Sequence, residues 1–541
     1  MVKLPTKSTL VSYIWLIAFP ILLNSCSKKS SRYDNHDVFR YNEHKNINSL
    51  DPAFAKDLAD IWGVNQVFNG LVQMDEQLNV IPAIASSWTL SDSSKIYTFN
   101  LKSKVYFHRH YLFGRDSTRT VTAKDFEYSF RRLIDPKVAS PGSWVFQKVD
   151  SFKVLNDSTF QIKLKQPFPA FLGLLTMKYC SVVPQEIVDY FGSEFRSNPI
   201  GTGPFYFKRW EENTKLVFRK NPHYFEKDTQ GNSLPYLEAV SVTFLPDKQS
   251  EFLQFAQGNI DFISGLDASY KDEILTADGH LNSEYQETVN MIRGPYLNTE
   301  YLAFYMDSQE REIQSQKLRQ AINIGFDRQK MITYLRNGIG IAADGGFIPQ
   351  GLPGYQTSTL FIYNPKLAQQ LVTEFKTETG INNPRVTLST TSNYLSFCEY
   401  IQRELEKIGL NISIDVLPAS TLKDAKANGK LPFFRASWVA DYPDAENYMS
   451  LFYSKNFAPN GPNYAHYTNQ SFDALYQQSY YESLQEERYK LYSKMDSLAM
   501  TTYPVVPLFY DEVVRFSQKS VSGLGINPTN LLDLKWVKKS D

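Results

Sequence analysis

The chain has 541 residues, 57 of them basic and 57 acidic, and 14% of its side chains are aromatic. Balanced charge without a basic stripe excludes a nucleic-acid footprint. The length exceeds one ordinary domain, so two or three lobes are expected.

At the start, Lys3 and Lys7 precede an apolar run from Leu10 to Leu23. That run is shorter than the roughly 20 residues a bilayer span needs, and it suits the apolar core of a secretory signal. It ends in Leu23-Asn24-Ser25-Cys26, which resembles a lipobox. Residues 1–26 are therefore expected to be a lipoprotein signal peptide, with Cys26 as the lipidated first residue of the mature chain. The competing reading is a secreted protein with a chance cysteine. Residues 27–31, serines and lysines, have no apolar surface to bury and read as a tether. The mature chain carries a net charge of −2. No later apolar run approaches transmembrane length, so attachment to a membrane is expected through the lipid alone.

Beyond the tether, apolar and polar residues alternate in 96–101, 159–165, 239–245 and 412–416, the period of strands buried on one side. Helical spacing alternates with them. Thr122 precedes a helix on which Phe126, Phe130 and Leu133 share a face. Asn364-Pro365 supplies a cap and first turn. Leu395, Cys398, Ile401, Leu405 and Ile408 form a stripe closed by Gly409. A helix over 486–500 runs into a strand at 505–509. Helices layered on sheets make an α/β architecture. Cys180 and Cys398 lie in apolar surroundings and read as small buried hydrophobes rather than a disulfide.

Catalytic signatures are absent: no G-x-S-x-G, H-E-x-x-H, Walker A loop or G-x-G-x-x-G. No cofactor is expected. His108 and His110 could share one face of a strand and hold a metal, but no third ligand lies near them in sequence, and a loop is the plainer reading. Gly201-Thr202-Gly203-Pro204 lacks the lysine of a phosphate loop and reads as a structural turn.

Six segments in order carry a resemblance. They are LDPAFAKDLADIWGVNQVFNGLVQMD (50–75), IASSWTLSDSSKIYTFNLK (84–102), VTAKDFEYSFRRLIDP (121–136), NPIGTGPFYFKRW (198–210), LRQAINIGFDRQKMI (318–332) and FRASWVADYPDAENY (434–448). Together they resemble the extracellular solute-binding proteins of family 5, the oligopeptide- and dipeptide-binding proteins of ABC importers. The resemblance implies a class II periplasmic-binding-protein fold: two lobes with a hinge, built from three structural domains. Domain I would take 32–78, 195–292 and 516–541, domain II 79–194 and domain III 293–515. It implies a monomeric binder without catalysis, working outside the cytoplasm, with short peptides as ligands and permease subunits as partners.

In the oligopeptide binders the Asp of the W-x-x-D-Y signature meets the ligand's α-amino group, which falls on Asp441 here. A desolvated cation needs a fixed anion, so the chemistry agrees. Trp438 would wall a side-chain pocket, and Arg435 would meet a ligand carboxylate with its guanidinium fork. Plainer roles compete: Asp441 capping a turn, Trp438 in a core and Arg435 in a surface ion pair. The segment 106–123 is longer than the short turn that borders the cleft in the family. With its His pair it keeps open a different solute, a nickel chelate, haem or an oligosaccharide. An envelope hydrolase with an assembled site, and a receptor without transport, are the remaining alternatives.

Overall fold

The structure is a computed structural model that describes residues 37–540 apart from 93. The signal segment, the tether and Cys26 lie outside the described residues.

One sheet of four antiparallel strands runs in the order Ala85–Ser91, Ile96–Leu101, Thr159–Leu164, Val149–Asn156. Alternation decides its faces: Tyr97, Phe99, Phe160 and Ile162 point inward. The helix Ala123–Ile134 covers them, with the Phe130 ring 5.7 Å from Phe160 and 5.6 Å from Phe152. Its first turn is closed by Asp125, which accepts the Thr122 N–H at 2.8 Å.

The second sheet has eleven strands and runs through both lobes. Its middle is a pair of long antiparallel strands, Val289–Phe304 and Val505–Gln518. One half of the pair joins the first lobe, where Phe262–Ser264 pairs with the strand ending at Gln518 and then with Val38–Asn42. The other half joins the second lobe, where Phe433–Val439 pairs with Asn298–Phe304. Between the halves the register breaks: Pro295 faces Glu512, and pairing resumes only at Thr299 and Tyr510. A bulge at that point bends the strand pair and leaves residues 296–298 without partners on the strand Val505–Gln518. The lobes are thus hinged on two strands, and each half keeps its own hydrophobic core.

The Gly201–Pro204 turn is structural, as its composition indicates. A β-carbon on Gly203 would lie 2.6 Å from the Gln66 carbonyl oxygen and 2.7 Å from that of Val67. The absence of a side chain lets the turn press on the helix Leu58–Val67, and the Gly203 N–H reaches the Val67 carbonyl at 2.7 Å. His108 is buried beside it. Its Nε2 lies 3.0 Å from the Gly203 carbonyl and its Nδ1 accepts from the Gly201 N–H at 3.3 Å. Burial lowers its pKa to about 4, so the ring is neutral. His110 Nδ1 accepts from the Leu112 N–H at 3.4 Å, capping a short turn. Backbone partners therefore account for the His pair. Among the described residues no group of three or more potential ligands gathers for a metal.

Cys180 and Cys398 are both free and buried, in the cores of opposite lobes.

Candidate inter-lobe binding site

The strand Phe433–Val439 directs Phe434 and Ala436 into the second lobe's core, with Trp438 at its edge. Beyond Val439 the chain leaves the ladder, and the Ala440 N–H donates to the Leu297 carbonyl at 2.8 Å, anchoring on the bulge. Asp441 follows. Its turn is organised by Asn447, whose Oδ1 accepts the Trp438 indole N–H at 2.7 Å and the Asp441 N–H at 3.4 Å.

Asp441 lines a cavity of about 490 Å³ between the lobes. The first lobe contributes Asp57, Trp144 and Thr176–Tyr179, the second contributes Tyr296 and Val439–Asp441, and Thr529 and Leu531 complete it. The volume falls within the range of about 300–1,000 Å³ typical of small-ligand sites. Asp441 is open to solvent, yet recessed between the walls. That recess raises its carboxyl pKa above the ordinary aspartate value, and Asn447 draws it part of the way back. Across the cavity, burial pushes the Tyr179 phenol up to about 12, helped by the charge of Asp441.

Of the three residues singled out in the sequence, only Asp441 reaches this wall. Trp438 packs on the second lobe's core and acts on the site through Asn447. Arg435 turns inward. It ion-pairs with Glu300, and its guanidinium carbon lies 3.2 Å from the centre of the Tyr394 ring. Glu300 is itself buried. Burial raises its carboxyl pKa, and the charge of Arg435 opposes that rise. Arg435 thus sits in an ion pair, though a buried one rather than the surface pair the plainer reading envisaged, and its Nε has no hydrogen-bond partner among the described residues.

The cavity also holds residues that motif reasoning missed: Lys178, Tyr179, Trp144 and Tyr296. Lys178 carried a signal, as the sole charge in the otherwise apolar and polar run 171–183. No residue of 106–123 lines this cavity. The segment instead packs beside the Gly201 turn and the helix Gln185–Phe191. Arg119 ties it down on Asp125 at 2.7 Å and Glu186 at 2.5 Å. Its length therefore adds nothing to the walls around Asp441.

A second, larger chamber of about 970 Å³ lies on the other side of Tyr442-Pro443, between Trp88 and Tyr97 of the first lobe and Arg488 and Tyr489 of the second. The two chambers are separated where the lobes touch. Tyr442 is buried in the first lobe's core cluster, and Lys148 of that lobe donates to the Tyr480 hydroxyl at 2.8 Å.

Two α/β lobes joined by paired crossing strands, with a cavity between them, define a class II periplasmic-binding-protein fold. Residues 79–460 match the model of the bacterial extracellular solute-binding proteins, family 5 Middle, and the chain belongs to that family. Its members are binding proteins rather than enzymes, and they act outside the cytoplasm. The chain is 22% identical to the dipeptide-binding protein DppE of Bacillus subtilis, over 97% of each chain. It is 26% identical to the probable di/tripeptide-binding protein 5 of Pseudomonas aeruginosa, over 95% of each. Among solved structures it resembles the periplasmic binding protein DppA of Helicobacter pylori in complex with the peptide STSA. There the TM-score is 0.74 at 24% identity, covering 93% of this chain and 98% of the other. No helix among the described residues is long and apolar enough to cross a membrane.

Proposed function

We propose that this chain is the substrate-binding component of an ABC-type importer and captures short peptides between its two lobes. The observation that carries the reading is the Asp441 carboxylate on the wall of the inter-lobe cavity, beside the aromatic rings of Trp144, Tyr179 and Tyr296. A peptide brings a cationic amino end, an apolar or polar body and a backbone. A fixed anion among aromatic faces suits all three. The dipeptide and di/tripeptide binders among the relatives support the ligand class.

In this reading Asp441 pairs with the α-amino group, Trp438 and Asn447 hold Asp441 in place, and Arg435 supports the second lobe. Domain I comprises 32–78, 195–292 and 516–541, domain II 79–194 and domain III 293–515, with closure between the first two and the third. Lipidation at Cys26 tethers a monomer beside its permease, and the ligand leaves chemically unchanged.

Native mass spectrometry of the mature chain, before and after unfolding and refolding, tests the reading. A heterogeneous adduct of peptide mass, lost on refolding and regained from mixed short peptides, is expected. An adduct of sugar, haem or metal-chelate mass instead, or cleavage of the added peptides, would overturn it.

A further inference from the structure

We infer that the first lobe carries a binding site of its own, in which Glu43 takes a small organic ammonium ion. This site stands apart from the cavity at Asp441, and its occupant is independent of the peptide reading.

The site is a cavity of about 510 Å³ with no residue of the second lobe in its walls. Those walls come from the end of the strand Val38–Asn42 and the loop after it, from the helices Leu58–Val67 and Lys248–Ala256, and from the end of the strand Phe262–Ser264, with Asn530 beside them. The two cavities share Asp57 and Leu58 and no other residue. Trp62 and Phe262 give an aromatic side, their ring centres 6.1 Å apart.

Glu43 lines the cavity and is only 6% exposed. Among the described residues its Oε1 has no hydrogen-bond partner, and no ion pair holds its carboxyl. Its neighbours are better provided. Glu251 has Lys248 at 2.8 Å, and Asp60 accepts the Asn48 N–H at 2.8 Å. The nearest cation is therefore taken, and Glu43 is the carboxyl of these three left bare. The Tyr41 hydroxyl, enclosed on the same strand, has no partner either. Burial and then the charge of Glu43 raise that phenol's pKa. Burial lifts the Glu43 carboxyl itself to about 8, with Glu251 adding to the rise, Lys248 opposing it and Asp60 adding again.

A cation in the cavity would supply the missing partner. The donors do not suit a metal ion, since no group of three or more potential ligands gathers among the described residues. An ammonium needs one carboxylate, and its apolar stem can lie along Trp62 and Phe262, whose faces also attract a cation. The volume is of the size that small organic ligands take. His44 and Lys45 line the cavity too, but both are exposed, where solvent screens their charge. Binding favours the ionised carboxylate. Below about pH 8 an arriving ammonium therefore displaces the proton of Glu43, and affinity rises with pH up to that value.

Isothermal titration of the mature chain with butylammonium, and with butanol as its neutral counterpart, tests the site. The wild type should bind the amine about tenfold or more tighter than the alcohol, the worth of one charge-assisted hydrogen bond. Heats measured near neutral pH in buffers of different ionisation enthalpy should show a proton released. Glu43→Gln should weaken the amine about tenfold and abolish the release, while Asp441→Asn keeps both. Glu43→Met serves if the Gln variant fails to fold. Amine and alcohol bound equally, or an amine affinity unmoved by Glu43→Gln, would overturn the inference. So would loss of the amine in Asp441→Asn, which would place it in the inter-lobe cavity, or uptake of calcium in place of the amine. Each of these leaves peptide capture, read at Asp441, standing.

Discussion

Replacing Asp441 with Asn changes one oxygen for one nitrogen and leaves the fold alone, because the side chain faces the cavity rather than a core. What it removes is the charge. Two unit charges about 4 Å apart interact by about 4 kcal/mol at an effective dielectric of 20. Asp441 is open to solvent in the free protein, so desolvating it on closure offsets part of that. Asn447 already engages its turn and stays in place. A loss of about 2–4 kcal/mol is the net expectation, which weakens peptide affinity about 30- to 700-fold. Isothermal titration with a peptide recovered from the native protein measures it. The same peptide with its amine acetylated closes a double-mutant cycle: acetylation should cost the wild type heavily and cost Asp441→Asn almost nothing. The pH profile gives an independent reading. Asp441 must be ionised to attract an ammonium, and its pKa is raised. Affinity should therefore begin to fall on acidification above the ordinary aspartate pKa of about 3.9. Ligand binding favours the ionised form, so the weakening follows proton uptake by the free site. In Asp441→Asn this acid limb should flatten. An affinity unchanged within twofold, or a variant still sensitive to acetylation, would refute the assignment.

Three further outcomes follow from the same contacts. Asn447→Ala releases both the Trp438 indole and the Asp441 amide and, because Asn447 is buried, should lower the thermal midpoint as well as weaken peptide binding by about tenfold; calorimetry and a melting curve measure the two effects. Gly203→Ala forces a methyl group against the carbonyls of Gln66 and Val67 and should destabilise the first lobe by about 1–3 kcal/mol, read as a lower urea midpoint. Lys148→Met removes a hydrogen bond between the lobes and should speed peptide release by about 2- to 10-fold, measured by stopped-flow displacement.

The elements were legible because each announces its own buried face. Phe126, Phe130 and Leu133 fall on one side of a helix, and Tyr97 and Phe99 on one side of a strand, for reasons local to those segments. Asp441 was legible through the signature around it. The rest of the cavity was not, because its walls come from segments as distant as 55–58, 141–144, 176–179, 296 and 529–531. Periodicity reports what a residue packs against within its own layer and is silent on what stands across a gap. Arg435 shows the limit well. Its guanidinium suits a ligand carboxylate, and nothing in the strand itself reveals that Glu300 and Tyr394 will occupy it first. Trp438 fails as a pocket wall for a similar reason, since Asn447, nine residues along, satisfies its indole locally.

One segment connects ligand contact with lobe closure. Glu446 lies five residues beyond Asp441 and is buried in a nest of phenols: Tyr442 and Tyr476 both donate to it, and Tyr480 does so at 2.9 Å. Tyr480 in turn accepts from Lys148 across the lobe boundary, while the Lys148 ammonium lies 3.6 Å from the centre of the Phe168 ring. Burial lowers the Lys148 pKa, and the charge of Glu446 opposes that shift. Opening the lobes would return Lys148 to water and cost little there, which keeps the latch weak enough to reverse. Closing them forms the latch on the segment that also carries Asp441. A ligand held at Asp441 and the latch at Tyr480 therefore favour the same closed arrangement, and each should raise the population on which the other depends.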